Sequence, residues 1–253
     1  MLRVFYPESF PDEGSVLSLP KEESHHLVRV RRARLGDAVE LLDGKGGFAI
    51  ARIDEVAGKR VSLRLESVSR SLVERTPVRL CLAFPKPKIF EALLAKCVEL
   101  GVTDILPLAT DHADPAVAKT EDASRRERWQ QILVEAMKQS GNLNLPQLHE
   151  TQSLDSALAS AAPDRLRICA ALQPGSESLW TILQQESARL RQGIDLYIGP
   201  EGDFSKPEYQ RLRESCSFFT LGENVLRVET AAVSVAAIVH EALRVLPESA
   251  SLE

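Results

Sequence analysis

Ile194-Asp195-Leu196-Tyr197-Ile198-Gly199-Pro200-Glu201-Gly202-Asp203-Phe204-Ser205 is the stretch on which the fold turns. Its mostly apolar first half reads as a short buried strand, and a Gly/Pro loop closes it. The same pattern recurs on both sides. Residues 166–172 form an apolar run that leads into Leu172-Gln173-Pro174-Gly175-Ser176. Residues 217–221 lead into Leu221-Gly222-Glu223-Asn224-Val225-Leu226-Arg227-Val228-Glu229-Thr230, after which a final helix is expected from about Ala231 to Val245. Helical stretches separate these strands. Such alternation predicts an α/β domain with a mostly parallel sheet covered by helices.

Further toward the N-terminus the pattern continues. Residues 78–84 and 105–108 read as strands, and Ile89, Phe90, Leu93, Leu94, Cys97, Val98 and Leu100 share one helical face, with Gly101 as the stop. The charged segment 121–140 predicts a longer helix. Residues 69–77 are polar and end on Pro77, which sets an expected domain boundary between 1–72 and 73–253. The first of these domains reads as β-rich. Residues 38–42 and 48–53 flank Asp43-Gly44-Lys45-Gly46-Gly47, a hairpin turn, and residues 60–65 alternate polar and apolar side chains. The glycine cluster is not a phosphate loop, because Gly46 rather than Ser or Thr follows Lys45.

Composition narrows the function classes. Of 253 residues, 44% are hydrophobic, enough for a sizeable core. No apolar run approaches the roughly 20 residues of a membrane span, and the first residues lack the apolar stretch of a secretion signal. A cytoplasmic protein is expected, with no membrane partner. Cys81, Cys97, Cys169 and Cys216 are widely spaced and sit in or beside apolar runs, which reads as buried thiols rather than zinc ligands. The five histidines form no ligand spacing, so no metal is expected.

A net charge of -5 argues against nonspecific coating of nucleic acid. Within that acidic chain, His25-His26-Leu27-Val28-Arg29-Val30-Arg31-Arg32-Ala33-Arg34 holds four arginines and no acid. His26, Arg29, Arg31 and Arg32 are therefore candidates for an RNA phosphate backbone, with an ordinary solvated face as the alternative.

Ligands of open α/β sheets bind beyond the carboxyl ends of the strands, where the three Gly/Pro loops fall. None is a G-x-G-x-x-G fingerprint or a Walker loop. Together, Ile198-Gly199-Pro200-Glu201-Gly202 and Leu221-Gly222-x-x-Val225-Leu226-Arg227-x-Glu229-Thr230-Ala231 resemble the signature of the RsmE family in the SPOUT superfamily. Its members are 16S rRNA (uracil-N3)-methyltransferases. Weaker matches are His26-Leu27-Val28-Arg29-Val30-Arg31, Lys96-Cys97-Val98-Glu99-Leu100-Gly101-Val102 and Gln139-Ser140-Gly141.

The resemblance implies a PUA-like β-barrel followed by a SPOUT methyltransferase domain with a C-terminal trefoil knot. It implies a homodimer acting on 16S rRNA of the small ribosomal subunit, with S-adenosyl-L-methionine as cofactor. Leu172, Gln173, Pro174, Gly199, Pro200, Glu201, Gly202, Leu221, Gly222, Val225 and Leu226 would then bind the cofactor, largely through backbone groups. The chain departs from the family twice. Lys138-Gln139-Ser140-Gly141-Asn142 replaces Glu-Gln-Ser-Gly-Arg, and Asp111-His112-Ala113-Asp114-Pro115 stands near the place of Glu-Arg-Ser/Cys. Both changes remove charge available to RNA or ligand.

A uridine N3 is a poor nucleophile until its proton leaves, so the site must favour the uracil anion. Arg227 is the candidate for that task, Glu229 for orienting it, and Glu201 for base or for holding the cofactor's cation. An alternative makes Arg227 and Glu229 an ion pair at the final helix, with Thr230 as its N-cap. Two rival functions stay open: a methyltransferase of the same fold acting on another rRNA or tRNA base, and a non-catalytic RNA-binding assembly protein.

Overall fold

Two units make up the chain, which a computed structural model describes over residues 2–72, 74–113 and 122–246. One unit is Met1–Glu74 with Val134–Leu145, the other Arg75–Leu133 with Pro146–Glu253.

The first unit is a five-stranded sheet in the order β1-β3-β4-β5-β2. Its strands are β1 (Leu2–Phe5), β2 (Val16–Ser18), β3 (Ala38–Leu42), β4 (Gly47–Ala57) and β5 (Arg60–Arg70). Only β1–β3 is parallel. Period-2 alternation turns Val61, Leu63 and Leu65 inward onto Val4, Val39, Leu41 and Ile53. Two register shifts in the β4–β5 ladder bend the sheet.

The arginine island is not β-structure. Helix α1 (Lys21–His25) runs straight into a π-turn at His26–Val30. Glu22 and Glu23 in the first turn favour the helix electrostatically, and Leu27 anchors the turn in the core. Residues 134–145 complete this unit. Gly46 N–H donates to the Leu143 carbonyl, Leu145 N–H to Gly44, and Met137 is fully buried. The buried Lys138 ammonium lies 2.8 Å from Glu23, its own burial offset by Glu23 and Glu135, which hold its pKa above the usual lysine value. The family's acid at 138 is thus a lysine here, and a buried carboxylate faces it.

The second unit is built on β6 (Val78–Ala83), β7 (Asp104–Ala109), β8 (Gln147–Leu148), β9 (Gln152–Ser153), β10 (Leu166–Ala170), β11 (Glu177–Ser178), β12 (Ile194–Ile198) and β13 (Ser217–Thr220). The strands run parallel in the order β11-β13-β10-β12-β6-β7-β8, with β9 also on β7. The helices are α2 (Pro87–Glu99), α3 (Ala123–Ser140), α4 (Leu154–Ala159), α5 (Leu179–Gln185), α6 (Ser187–Gln192), α7 (Lys206–Ser215) and α8 (Val228–Val245). Helix α3 crosses from this unit to the first at Leu133/Val134.

Cys81, Leu106, Cys169 and Tyr197 pack against Leu154 and Ala157 of α4 and Leu212 of α7. The central β6 and β12 are buried at every residue, as the apolar runs predict. Helix α2 ends where Gly101 takes φ 74°, a left-handed conformation that glycine adopts freely. The expected helix at 121–140 begins at Ala123, and Glu121 lies outside the described residues.

Two residues inside those apolar runs are charged. Arg79 and Asp195 are register partners on β6 and β12. The guanidinium donates from Nη2 to Oδ2 at 2.6 Å and from Nε to Oδ1 at 3.0 Å, while Arg165 reaches Oδ1 at 3.4 Å. Asp195 is 0% and Arg79 7% exposed.

Candidate functional site

The carboxyl ends of β10, β12 and β13 open into a cavity of about 350 Å³. That size falls among small-molecule sites of roughly 300–1,000 Å³. All three Gly/Pro loops contribute: Leu172 from the first, Gly199, Pro200 and Glu201 from the second, and Leu221, Val225, Leu226 and Arg227 from the third. Gln173, Pro174, Gly202 and Gly222, expected at the same site, lie in these loops but do not line the cavity. Neither does Glu229, in the first turn of α8.

The loops are shaped by local chemistry. In the first, the Ser176 hydroxyl donates to the Ala171 carbonyl at 2.8 Å and turns the chain, so β10 ends at Ala170 rather than Leu172. In the second, Gly199 permits a close approach: a Cβ there would meet the Phe204 ring at 3.1 Å. The loop ends on a capping box at α7, where Ser205 and Glu208 exchange hydrogen bonds. In the third, Gly222 N–H donates to Thr220 Oγ1 at 3.1 Å. Among the described residues, the N–H groups of 223–227 make no hydrogen bond within the chain.

The rim is unusually apolar for exposed surface. Val225 is 89% exposed and Leu172 50%, which is the surface expected where a ligand or partner covers it. The walls also carry the charges of Glu201, Asp203 and Arg227.

Arg227 is the N-cap of α8, in an extended conformation with φ -66° and ψ 152°. This corrects the expected start near Ala231 and Thr230 as the cap. Val228 begins the buried face continued by Ala232, Val235, Ala236, Val239 and Ala242, so burial draws the helix back by a turn. Among the described residues no ion pair joins Arg227 to Glu229, and the Arg227 guanidinium has no partner.

The loop after β7 braces the second cavity loop. His112 Nδ1 donates across 3.0 Å to the carbonyls of Gly202 and Asp203. The Ser205 hydroxyl donates to Asp111 Oδ2 at 2.5 Å, and Asp111 N–H to Glu208 Oε1 at 3.0 Å. In this stretch the His112 side chain holds backbone and the Asp111 side chain holds the Ser205 hydroxyl. Asp114 and Pro115 of that stretch lie outside the described residues.

In the first unit His26 is half-buried, while Arg29, Arg31 and Arg32 are exposed, with no carboxylate paired to them among the described residues. Arg31 Nε lies 3.3 Å from His26 Nε2.

Burial pushes the thiols of Cys97 and Cys216 up to about 12, and raises Cys81 and Cys169 as well. They stay protonated and are poor nucleophiles. Among the described residues no cluster of three or more His, Cys, Asp or Glu side chains is placed to hold a metal ion. Nor is any helix there long and apolar enough to cross a membrane. Asp203 and Tyr209 are among the cavity-lining residues that the sequence did not single out. Asp203 stands in the second loop, but nothing in the sequence marks Tyr209, which a helix brings in from outside the loops.

Comparison with known proteins fits this geometry. A family described as an RNA methyltransferase domain matches residues 73–240, and one described as an RNA methyltransferase PUA domain matches residues 19–66. The ribosomal RNA small subunit methyltransferase E of Synechocystis sp. is 31% identical over 219 residues, covering 86% of this chain and 70% of that protein. The enzyme of the same name from Rickettsia conorii is 26% identical over 231 residues, covering 90% and 91%. The crystal structure of ribosomal RNA small subunit methyltransferase E from Neisseria gonorrhoeae, bound to S-adenosyl methionine, superposes with a TM-score of 0.83 at 27% identity, covering 95% of this chain and 97% of that one.

Proposed function

The chain belongs to the ribosomal RNA small subunit methyltransferase E family, and from that premise we propose that it transfers a methyl group from S-adenosyl-L-methionine to N3 of a uridine in 16S rRNA. The observation that carries this reading is the cavity between the three loops, with the guanidinium of Arg227, unpaired among the described residues, on its wall.

The residues present fit the cofactor. Leu172, Leu221, Val225 and Leu226 offer apolar contact for an adenine, and the N–H groups of 223–227, unbonded among the described residues, offer donors that a flat heterocycle accepts. Glu201 and Asp203 supply negative charge for a cationic ligand. When bound, S-adenosylmethionine brings a methyl group made electrophilic by its sulfonium. The chain does the rest. Arg227 stabilises negative charge on a uracil oxygen as the imide proton leaves, and Glu201 is a cavity carboxylate that can take that proton. Glu229 acts only at one remove, through the start of α8.

The fold part of the proposal is a trefoil knot in the C-terminal half. Its support is the insertion of β12 between β10 and β6, with three loops crowding one end of the sheet. A homodimer belongs to the same reading, supported by the small, half-buried residues Ala231, Val233, Ala237 and Ile238 on α8. We propose a cytoplasmic location on the same reading, supported by the ribosomal substrate.

Small subunits from a strain lacking this protein test the reading. Incubated with protein and labelled S-adenosylmethionine, they should gain label in 16S rRNA, and mass mapping should find 3-methyluridine. Calorimetry should show cofactor binding that survives a chelator. Absence of binding at millimolar cofactor overturns the enzyme reading, and a methyl group on another base overturns the target.

The arginine island should contact RNA phosphates. Replacing Arg29, Arg31 and Arg32 together with Ala should weaken RNA binding and flatten its salt dependence, by a slope of about 0.7–0.9 for each phosphate no longer neutralised. Cofactor affinity should not change. An unaltered salt slope returns the island to ordinary surface.

A further inference from the structure

Asp203 is held in a conformation that few side chains accept. Its φ is 64°, in the left-handed region, and it is one of two non-glycine residues there among those described, with Arg32. Such outliers persist where the surrounding structure over-determines them, often at ligand sites. Here the surroundings do so from several directions. Asp203 Oδ1 accepts the Phe204 N–H at 2.9 Å and the Tyr209 hydroxyl at 2.6 Å. The Asp203 carbonyl accepts from His112, and Asp203 N–H donates to Pro200 at 2.9 Å. The pKa of Tyr209 is raised by burial and then by Asp203, so it remains a phenol that donates.

One carboxylate oxygen is thereby fixed, while Oδ2 accepts no hydrogen bond among the described residues. The whole group lies on the cavity wall beside Glu201 and opposite in sign to Arg227. Glu201 on the same loop is exposed and has no such tether. A preorganised charge acts on a ligand without first being ordered, which is what an electrostatic selector requires.

We propose that Asp203 is a ligand-selecting residue whose tethered carboxylate meets a cationic group of the methyl donor. The inference rests on the cofactor reading above and adds a residue to it. Two groups of the donor have that chemistry, the sulfonium and the α-ammonium. Only the first disappears when the donor becomes S-adenosylhomocysteine.

Asp203→Asn is the incisive variant. Asn keeps the acceptor oxygen and tolerates positive φ, so the tether and the loop survive while the charge is lost. Calorimetry on the full chain with S-adenosylmethionine and S-adenosylhomocysteine should show S-adenosylmethionine weakened about ten- to a hundredfold, with the melting temperature of the ligand-free protein unchanged. Asp203→Gly, which relieves the backbone, should lose the same affinity. Weakening of S-adenosylmethionine alone identifies the sulfonium as the partner, and equal weakening of both identifies the ammonium. Wild-type affinity for both ligands in Asp203→Asn and Asp203→Gly overturns the proposal. Failure of the wild-type chain to bind either ligand instead overturns the cofactor reading.

Discussion

Arg227→Ala is expected to lower single-turnover methyl transfer by about 10²–10³, the loss typical of one preorganised donor to a developing oxyanion. Melting temperature and cofactor affinity should stay close to wild type. The structural reason is that, among the described residues, the Arg227 side chain makes no hydrogen bond or ion pair. It makes no cap bond to α8 and no ion pair with Glu229, and its contribution to the helix is a backbone carbonyl that accepts from Ala231 at 2.9 Å. Alanine preserves that carbonyl. A loss confined to the chemical step therefore reports charge stabilisation rather than binding or folding. Arg227→Lys restores charge without the planar fork and should recover only part of the rate. A folded Arg227→Ala protein with near-normal turnover would remove Arg227 from the mechanism.

The second large effect lies toward the other end of β12. Asp195→Ala should destabilise the chain by about 3–5 kcal/mol, because it leaves Arg79 buried without its carboxylate. Arg79 also donates to Ser160 Oγ and the Ala157 carbonyl, at 3.3 and 3.4 Å, and those neutral acceptors cannot balance a full charge. Replacing the pair together, Arg79→Met with Asp195→Leu, should return most of the stability, since neither charge then remains in the interior. Urea unfolding midpoints for the single and double variants decide the matter. Equal losses in both would mean that packing, not charge, dominates at this site.

These two sites were unequally legible. Periodicity and loop composition located the strands that carry the cavity, because a buried strand needs an apolar run and a tight loop needs Gly or Pro. Arg227 could be singled out because it follows one such loop directly. Its place as N-cap could not, since that depends on Val228 joining the buried face. The Arg79–Asp195 pair was hidden inside runs read as apolar. Opposite charges at matching depth in Val78–Ala83 and Ile194–Ile198 were the available signal, but it becomes meaningful only once β6 and β12 are known to be neighbours.

The arginine island shows a different limit. Its reading rests on charge alone and assigns it no secondary structure, while Glu22 and Glu23 after Pro20 mark a helix start that only a reading at the scale of one turn detects. Helical pattern in residues 121–140 reported one continuous element and was silent on which neighbours each end would serve. Side-chain periodicity specifies a face, not the surface that face meets.

That silence concerns the timing of synthesis as well. A chain emerging from the ribosome usually folds its N-terminal unit first. Here that unit waits. Glu23 leaves the exit tunnel long before Lys138, the ammonium it pairs with, and the turn at Gly44–Gly46 precedes Leu143 and Leu145, to which it bonds. Strands β6 and β7 are translated in the interval, while the first unit still lacks its last segment. In the order of birth, the unit that begins the chain is complete only once Leu145 has been made, after the first two strands of the other.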